Sequence, residues 1–136
     1  MEINELIAES HNTAKEKGFW DNKDWNLGEK LMLITSELGE ALEADRKNRY
    51  AKLDAFKADG LNTTPYDNTP LFEENLQKKF CASFEANMKD SFEDELADAA
   101  IRLFDLAGKM NIDLEYHIMM KMAYNKTREK KHGKKY

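Results

Sequence analysis

A chain of 136 residues, 41% hydrophobic and 35% charged, has enough apolar residues for one core and enough charge to keep the outer faces of its helices in water. The net charge of −5 hides an asymmetry: positions 121–136 hold seven basic residues and one acid, leaving 14 basic and 25 acidic residues in the preceding 120. An acidic body of this kind repels phosphate backbones and excludes a nucleic-acid polymer as the main partner, and no run of about 18 apolar residues offers a membrane span.

Helical periodicity runs through most of the chain and no β-branched alternation interrupts it, so the expected fold is all-α, a four- to five-helix bundle in one domain over 1–136. A first helix is predicted over 2–17, with Ile3, Leu6, Ile7 and Ala14 inward and a stop near Gly18. Trp20 and Trp25 follow in a polar connection. A long second helix starts at Asn26, an N-cap residue, carries Leu27, Leu31, Ile34, Leu38 and Leu42 at steps of three and four, and fades between Tyr50 and Phe56. Residues 57–70, with both prolines of the chain, Pro65 and Pro70, read as a loop. Leu76, Phe80, Phe84 and Met88 at four-residue intervals predict a further helix. Ser91 and Asp94 form a capping-box pattern, with Asp in the usual Glu position, at the start of a helix running to about Lys109. Asp113 caps a last helix that continues through Ile118, Met122 and Asn125 before Gly133.

Two acid pairs share one helical spacing: Glu37-Leu-Gly-Glu40 and Glu95-Leu-Ala-Asp98. Residues three apart lie on one helix face, so each pair aims two carboxylates in one direction. If the two faces meet, the convergence is costly without a cation. Two unit charges 4 Å apart repel by roughly 4 kcal/mol at an effective dielectric of about 20. Such a gathering requires a raised pKa or a bound divalent ion. Spacing alone leaves a second reading open, because Glu95, Asp98, Arg102 and Asp105 also form the polar stripe expected of a solvated helix face.

The segments Ser36-Glu-Leu-Gly-Glu40-Ala-Leu-Glu-Ala-Asp-Arg46 and Phe92-Glu-Asp-Glu95-Leu-Ala-Asp98-Ala-Ala-Ile-Arg102-Leu-Phe-Asp105 resemble the signature of the MazG-like, all-α nucleotide pyrophosphohydrolases, Glu-Glu-x-x-Glu followed by Glu-x-x-Asp. The ending Lys121-Met-Ala-Tyr124-Asn125-Lys-Thr-Arg128-Glu-Lys-Lys-His132-Gly133-Lys134 resembles the substrate-side segment of that family. The resemblance covers most of residues 26–134 except the middle, and its specificity lies in three short motifs in the proper order. Two departures stand out. Ser36 replaces the first glutamate, and 54 residues separate Glu40 from Glu95, so the region from about 47 to 90 reads as an insertion or enlarged lid.

The resemblance implies hydrolysis of a nucleoside triphosphate between its α and β phosphates, giving a monophosphate and pyrophosphate. It implies Mg²⁺, with Mn²⁺ as substitute, on Glu37, Glu40, Glu95 and Asp98, and a catalytic part for Glu37 and Glu40. An unligated oxygen of the quartet, or Glu43 one step further along the helix, would orient the attacking water. Lys121, Asn125, Arg128 and Lys134 are the substrate-side candidates. Lys121, Asn125 and Arg128 share a face by their spacing of four and three, and Arg128 offers a bidentate fork to phosphate. The solvated alternative for each is a basic tail at a helix C-terminus, where the macrodipole already favours cations. A homodimer or homotetramer is expected, with Met110, Met119, Met120 and Met122 packing between helices or subunits.

Trp20 or Trp25 is a candidate for stacking on a base, although tryptophans near a helix start are more often core or interface anchors, and His11 and His117 read as structural. A ferritin-like di-metal centre finds only Glu129-x-x-His132 to match it, in the basic tail. Within the enzymes the alternative substrates are dUTP or a phosphoribosyl-nucleotide. Outside them the competitor is a helical interaction module with merely solvated acid stripes. The single cysteine, Cys81, excludes an internal disulfide and suits a reducing compartment, and Met1-Glu2-Ile3-Asn4-Glu5 has neither the charge nor the apolar stretch of a secretion signal. The expected location is the cytoplasm.

Overall fold

The computed structural model describes residues 2–60 and 74–135, with His132 by its backbone alone. Six helices occur among them: α1 (Ile3–Glu16), α2 (Leu27–Arg46), α3 (Leu53–Ala58), α4 (Glu74–Asn87), α5 (Phe92–Lys109) and α6 (Leu114–Lys126), followed by a 3-10 turn at Lys130–Gly133. The described residues contain no strand, so the all-α expectation holds. None of these helices is long and apolar enough to cross a membrane. The chain divides into two compact units, residues 1–30 with 101–136, and residues 31–100.

The helix ends follow from local side-chain chemistry. Asn26 Oδ1 accepts the Glu29 N–H at 2.9 Å, Ser91 Oγ accepts the Asp94 N–H at 3.2 Å, and Asp113 Oδ1 accepts the Tyr116 N–H at 3.1 Å. Each satisfies an amide that the first turn leaves without a partner. The reciprocal half of the predicted box at Ser91 is altered: the Asp94 carboxylate accepts from the Asp90 N–H at 2.9 Å. An Asp side chain is one methylene shorter than Glu, and it serves the preceding residue.

Three of the C-termini, those of α1, α2 and α5, share a device. Gly18, Asn48 and Asn111 have φ of 83°, 53° and 53°, and the next amide reaches back five residues: Phe19 to Ala14 O, Arg49 to Ala44 O and Ile112 to Ala107 O, at 3.0, 2.8 and 3.0 Å. Left-handed residues end helices this way, and Asn tolerates that region next best to Gly. Consequently α2 stops at Arg46, short of the predicted fade between Tyr50 and Phe56, and residues 53–58 form the separate α3. Of the expected loop at 57–70, Lys57 and Ala58 belong to α3, and 61–70 lie outside the described residues.

In the unit of residues 1–30 and 101–136, α1 packs on α6, and Ile7, Leu106 and Ala107 are buried. Gly108 permits a close approach, since a Cβ there would stand 2.7 Å from the Cβ of His11. Asp105 Oδ1 accepts from Trp20 Nε1 and lies against His11 Nδ1, both at 2.8 Å. An ionised carboxylate only accepts, so His11 carries its proton on Nδ1. The Trp20 ring meets Trp25 edge-on at 5.2 Å, with the Lys30 ammonium 4.4 Å from its centroid. These contacts give His11 and Trp20 a part in holding the unit together.

In the unit of residues 31–100, α3 packs on α4. Phe56 meets Phe80 and Phe84 at 6.0 and 6.4 Å, and the Lys52 N–H donates to Asn87 O at 2.8 Å. The Phe92 N–H donates to Arg49 O at 2.8 Å, tying the residues after α2 to the first turn of α5. Ala41, Ala44 and Ala99 are buried, whereas Leu31, Leu38 and Leu42 of the predicted apolar stripe are about half exposed. The face of α2 that turns inward is the one carrying Glu37.

Candidate metal centre

Helical spacing puts Glu37 and Glu40 one turn apart on α2 and Glu95 and Asp98 one turn apart on α5, all within the unit of residues 31–100. Oxygen atoms of Glu37, Glu95 and Asp98 all lie within 4.8 Å of one another. Glu40 joins them through a side-chain hydrogen bond with Glu95. All four acids singled out by sequence therefore come together. Glu37 and Glu95 are buried, at 6% and 7% exposure, while Glu40 and Asp98 are open to solvent.

The electrostatic consequence falls on Glu95. Its pKa is raised to about 7, first by burial, then by repulsion from Glu40 together with their hydrogen bond, and further by the charges of Glu37 and Asp98. Near neutrality Glu95 is therefore still protonated in part, and its protonated carboxyl can donate to Glu40. Replacing that proton by a divalent cation relieves the same repulsion. The donor set consists of carboxylate oxygens, two sheltered and two open to water, which fits a hard cation such as Mg²⁺ or Mn²⁺ that keeps part of its water shell.

Beside the acids lies a cavity of about 270 Å³ lined by Glu40, Glu43, Ala44, Arg49, Asp90 and Glu95. Glu43 is occupied by other partners, Lys47 at 3.1 Å and Arg46 at 3.7 Å, and the Lys47 ammonium lowers its pKa. Arg49 and Asp90 were not marked by any sequence motif. The legible signal was indirect: Asn48, a residue suited to a left-handed helix end, turns the chain so that Arg49 borders the cavity.

The four substrate-side candidates belong to the unit of residues 1–30 and 101–136. Lys121 and Asn125 are on α6, which ends at Lys126, before Arg128 and Lys134. Lys121 Nζ and Arg128 Cζ lie 5.0 and 5.6 Å from the centroid of the exposed Tyr124 ring, so both cations border the same aromatic side chain. Asn125 is half-buried, and its carbonyl accepts the Arg128 N–H at 3.2 Å. The Lys134 N–H donates to Lys131 O at 2.8 Å, and its side chain is exposed.

Comparison with known proteins gives no match: no family model, no curated protein and no solved structure matches the chain.

Proposed function

We propose that the chain is a Mg²⁺-dependent pyrophosphohydrolase of nucleoside triphosphates, a hydrolase of the MazG-like type acting in nucleotide-pool housekeeping. The observation that carries this reading is the meeting of Glu37, Glu95 and Asp98 within 4.8 Å, with Glu40 bonded to Glu95. A fold does not gather like charges in a partly buried place without a compensating proton or cation.

Glu37, Glu40, Glu95 and Asp98 would hold Mg²⁺, which supplies positive charge to the phosphates and acidifies water. The exposed carboxylates, Glu40 and Asp98, are the ones open to an incoming water and can accept its proton. Water oxygen joins the α-phosphorus, the bond to the bridging oxygen breaks, and pyrophosphate leaves with the electron pair. Lys121 and Arg128, each near the Tyr124 ring, are the cationic groups proposed for the triphosphate or its products. The exposed apolar side chains of α2, Leu31, Leu38 and Leu42, favour a homodimer or homotetramer in which a further copy covers them.

The test is a panel of canonical and modified nucleoside triphosphates, dUTP and a phosphoribosyl-nucleotide included, incubated with Mg²⁺. Monophosphate and pyrophosphate are the expected products. Orthophosphate as the first product, or no turnover of any member, contradicts the assignment and returns the chain to the helical interaction modules.

A further inference from the structure

We infer that Arg49 is the residue that receives the departing pyrophosphate, an inference resting on the pyrophosphohydrolase reading above. It borders the same cavity as Glu40 and Glu95, and it is the cation among the six lining residues. At about 270 Å³ that cavity falls below the roughly 300–1,000 Å³ typical of pockets that enclose a drug-sized ligand, so it suits phosphate groups and not a whole nucleotide.

The backbone of Arg49 is fixed on both sides. Its N–H donates to Ala44 O at the end of α2, and its carbonyl accepts from the Phe92 N–H at the start of α5, each at 2.8 Å. The residue is thereby anchored between the same two helices that carry the acids. Its guanidinium, by contrast, makes no hydrogen bond or ion pair among the described residues. Arg46 and Lys47 form direct ion pairs with Glu43, whereas Arg49 acts on that carboxylate only through its charge. A planar fork on a fixed backbone, beside carboxylates that a divalent ion would neutralise, matches the geometry of a diphosphate oxygen pair. When the bond between the α-phosphorus and the bridging oxygen breaks, the electron pair and its charge pass to pyrophosphate. A guanidinium in this position gains most from that change.

Binding of inorganic pyrophosphate to the full-length chain, measured by calorimetry with and without Mn²⁺, tests the inference on the wild type and on Arg49→Gln, Arg49→Lys and Arg46→Gln. The expected result is Mn²⁺-dependent binding weakened about tenfold or more in Arg49→Gln, the loss of charge-assisted hydrogen bonds. Arg49→Lys falls between, and Mn²⁺ affinity is unchanged in all variants. Wild-type pyrophosphate affinity in Arg49→Gln overturns the role of Arg49 and leaves the metal centre standing. Equal weakening in Arg46→Gln, or a parallel loss of Mn²⁺ affinity, also overturns it, since either shows an effect on the general field or on the acids. A wild type that takes up no Mn²⁺ instead removes the metal centre itself.

Discussion

Glu95 is the residue on which the electrostatics of this chain converge. A buried carboxyl facing three other acids lowers stability when it ionises, so Glu95→Gln keeps the shape and hydrogen-bonding capacity while removing the charge. The variant is expected to melt at a higher temperature than wild type in chelator and to lack the increase that the proposed Mg²⁺ site would give the wild type, as thermal denaturation will show. On the proposed function, its turnover should fall by at least about 100-fold, because even groups one shell removed from a metal ligand typically cost 10–100-fold. Equal melting temperatures in chelator would remove the repulsion from the description.

The pH dependence follows with a definite sign. The folded pKa of Glu95, about 7, lies above its ordinary 4.5, so the folded state holds the proton more tightly than the unfolded state does. Its contribution to stability is complete below 4.5 and is lost as pH rises through 7. Urea titrations of the metal-free chain should show this decline between those limits, absent in Glu95→Gln, whereas Mg²⁺ stabilises increasingly over the same range by displacing the proton. A flat difference between the two proteins across that window contradicts the assignment.

Among the elements, the turn after α2 has the largest consequence for the site. Asn48 at φ 53° ends the helix, and the amide and carbonyl of Arg49 then bridge Ala44 and Phe92. A β-branched residue is poorly accommodated there, so Asn48→Val should cost about 1–2 kcal/mol of unfolding free energy, while Asn48→Gly is nearly neutral. Chemical denaturation distinguishes them, and equal losses would show that the left-handed turn is not what matters.

This turn also marks the limit of what periodicity reveals. The helix over 2–17, the caps at Asn26, Ser91 and Asp113, and the convergence of Glu37, Glu40, Glu95 and Asp98 were legible because capping and three-residue spacing are local signals. The early end of α2, the short α3 and the position of Arg49 were not. Asn48 is as compatible with a helix surface as with its end, and only the tie between Arg49 O and the Phe92 N–H, 43 residues apart in sequence, selects the turn. The leucine stripe of α2 misleads for a related reason: spacing shows that the leucines share a face, not what covers it. Within this chain the inward face holds Glu37, Ala41 and Ala44.

At the scale of the whole molecule, the proposed assembly turns on exposed apolar side chains, those leucines in one unit and Met119, Met120 and Met122 of α6 in the other. Sedimentation of the wild type should give a dimer or tetramer, and the double variant Leu38→Glu, Leu42→Glu should sediment as a smaller species. A wild type that is monomeric at all concentrations contradicts the proposed assembly but not the acid cluster, whose members all belong to one chain.

The cluster itself is open to a direct measurement, titration of Mn²⁺ near pH 7 into the wild type, Glu37→Gln and Asp98→Asn, followed by the paramagnetic resonance of the free ion. The expected result is saturable uptake by the wild type, reversed by Mg²⁺ and weakened about tenfold or more in each variant while circular dichroism shows the helices intact. No uptake by the folded wild type, or uptake unchanged in both variants, would mean that these acids meet for some purpose other than holding a cation.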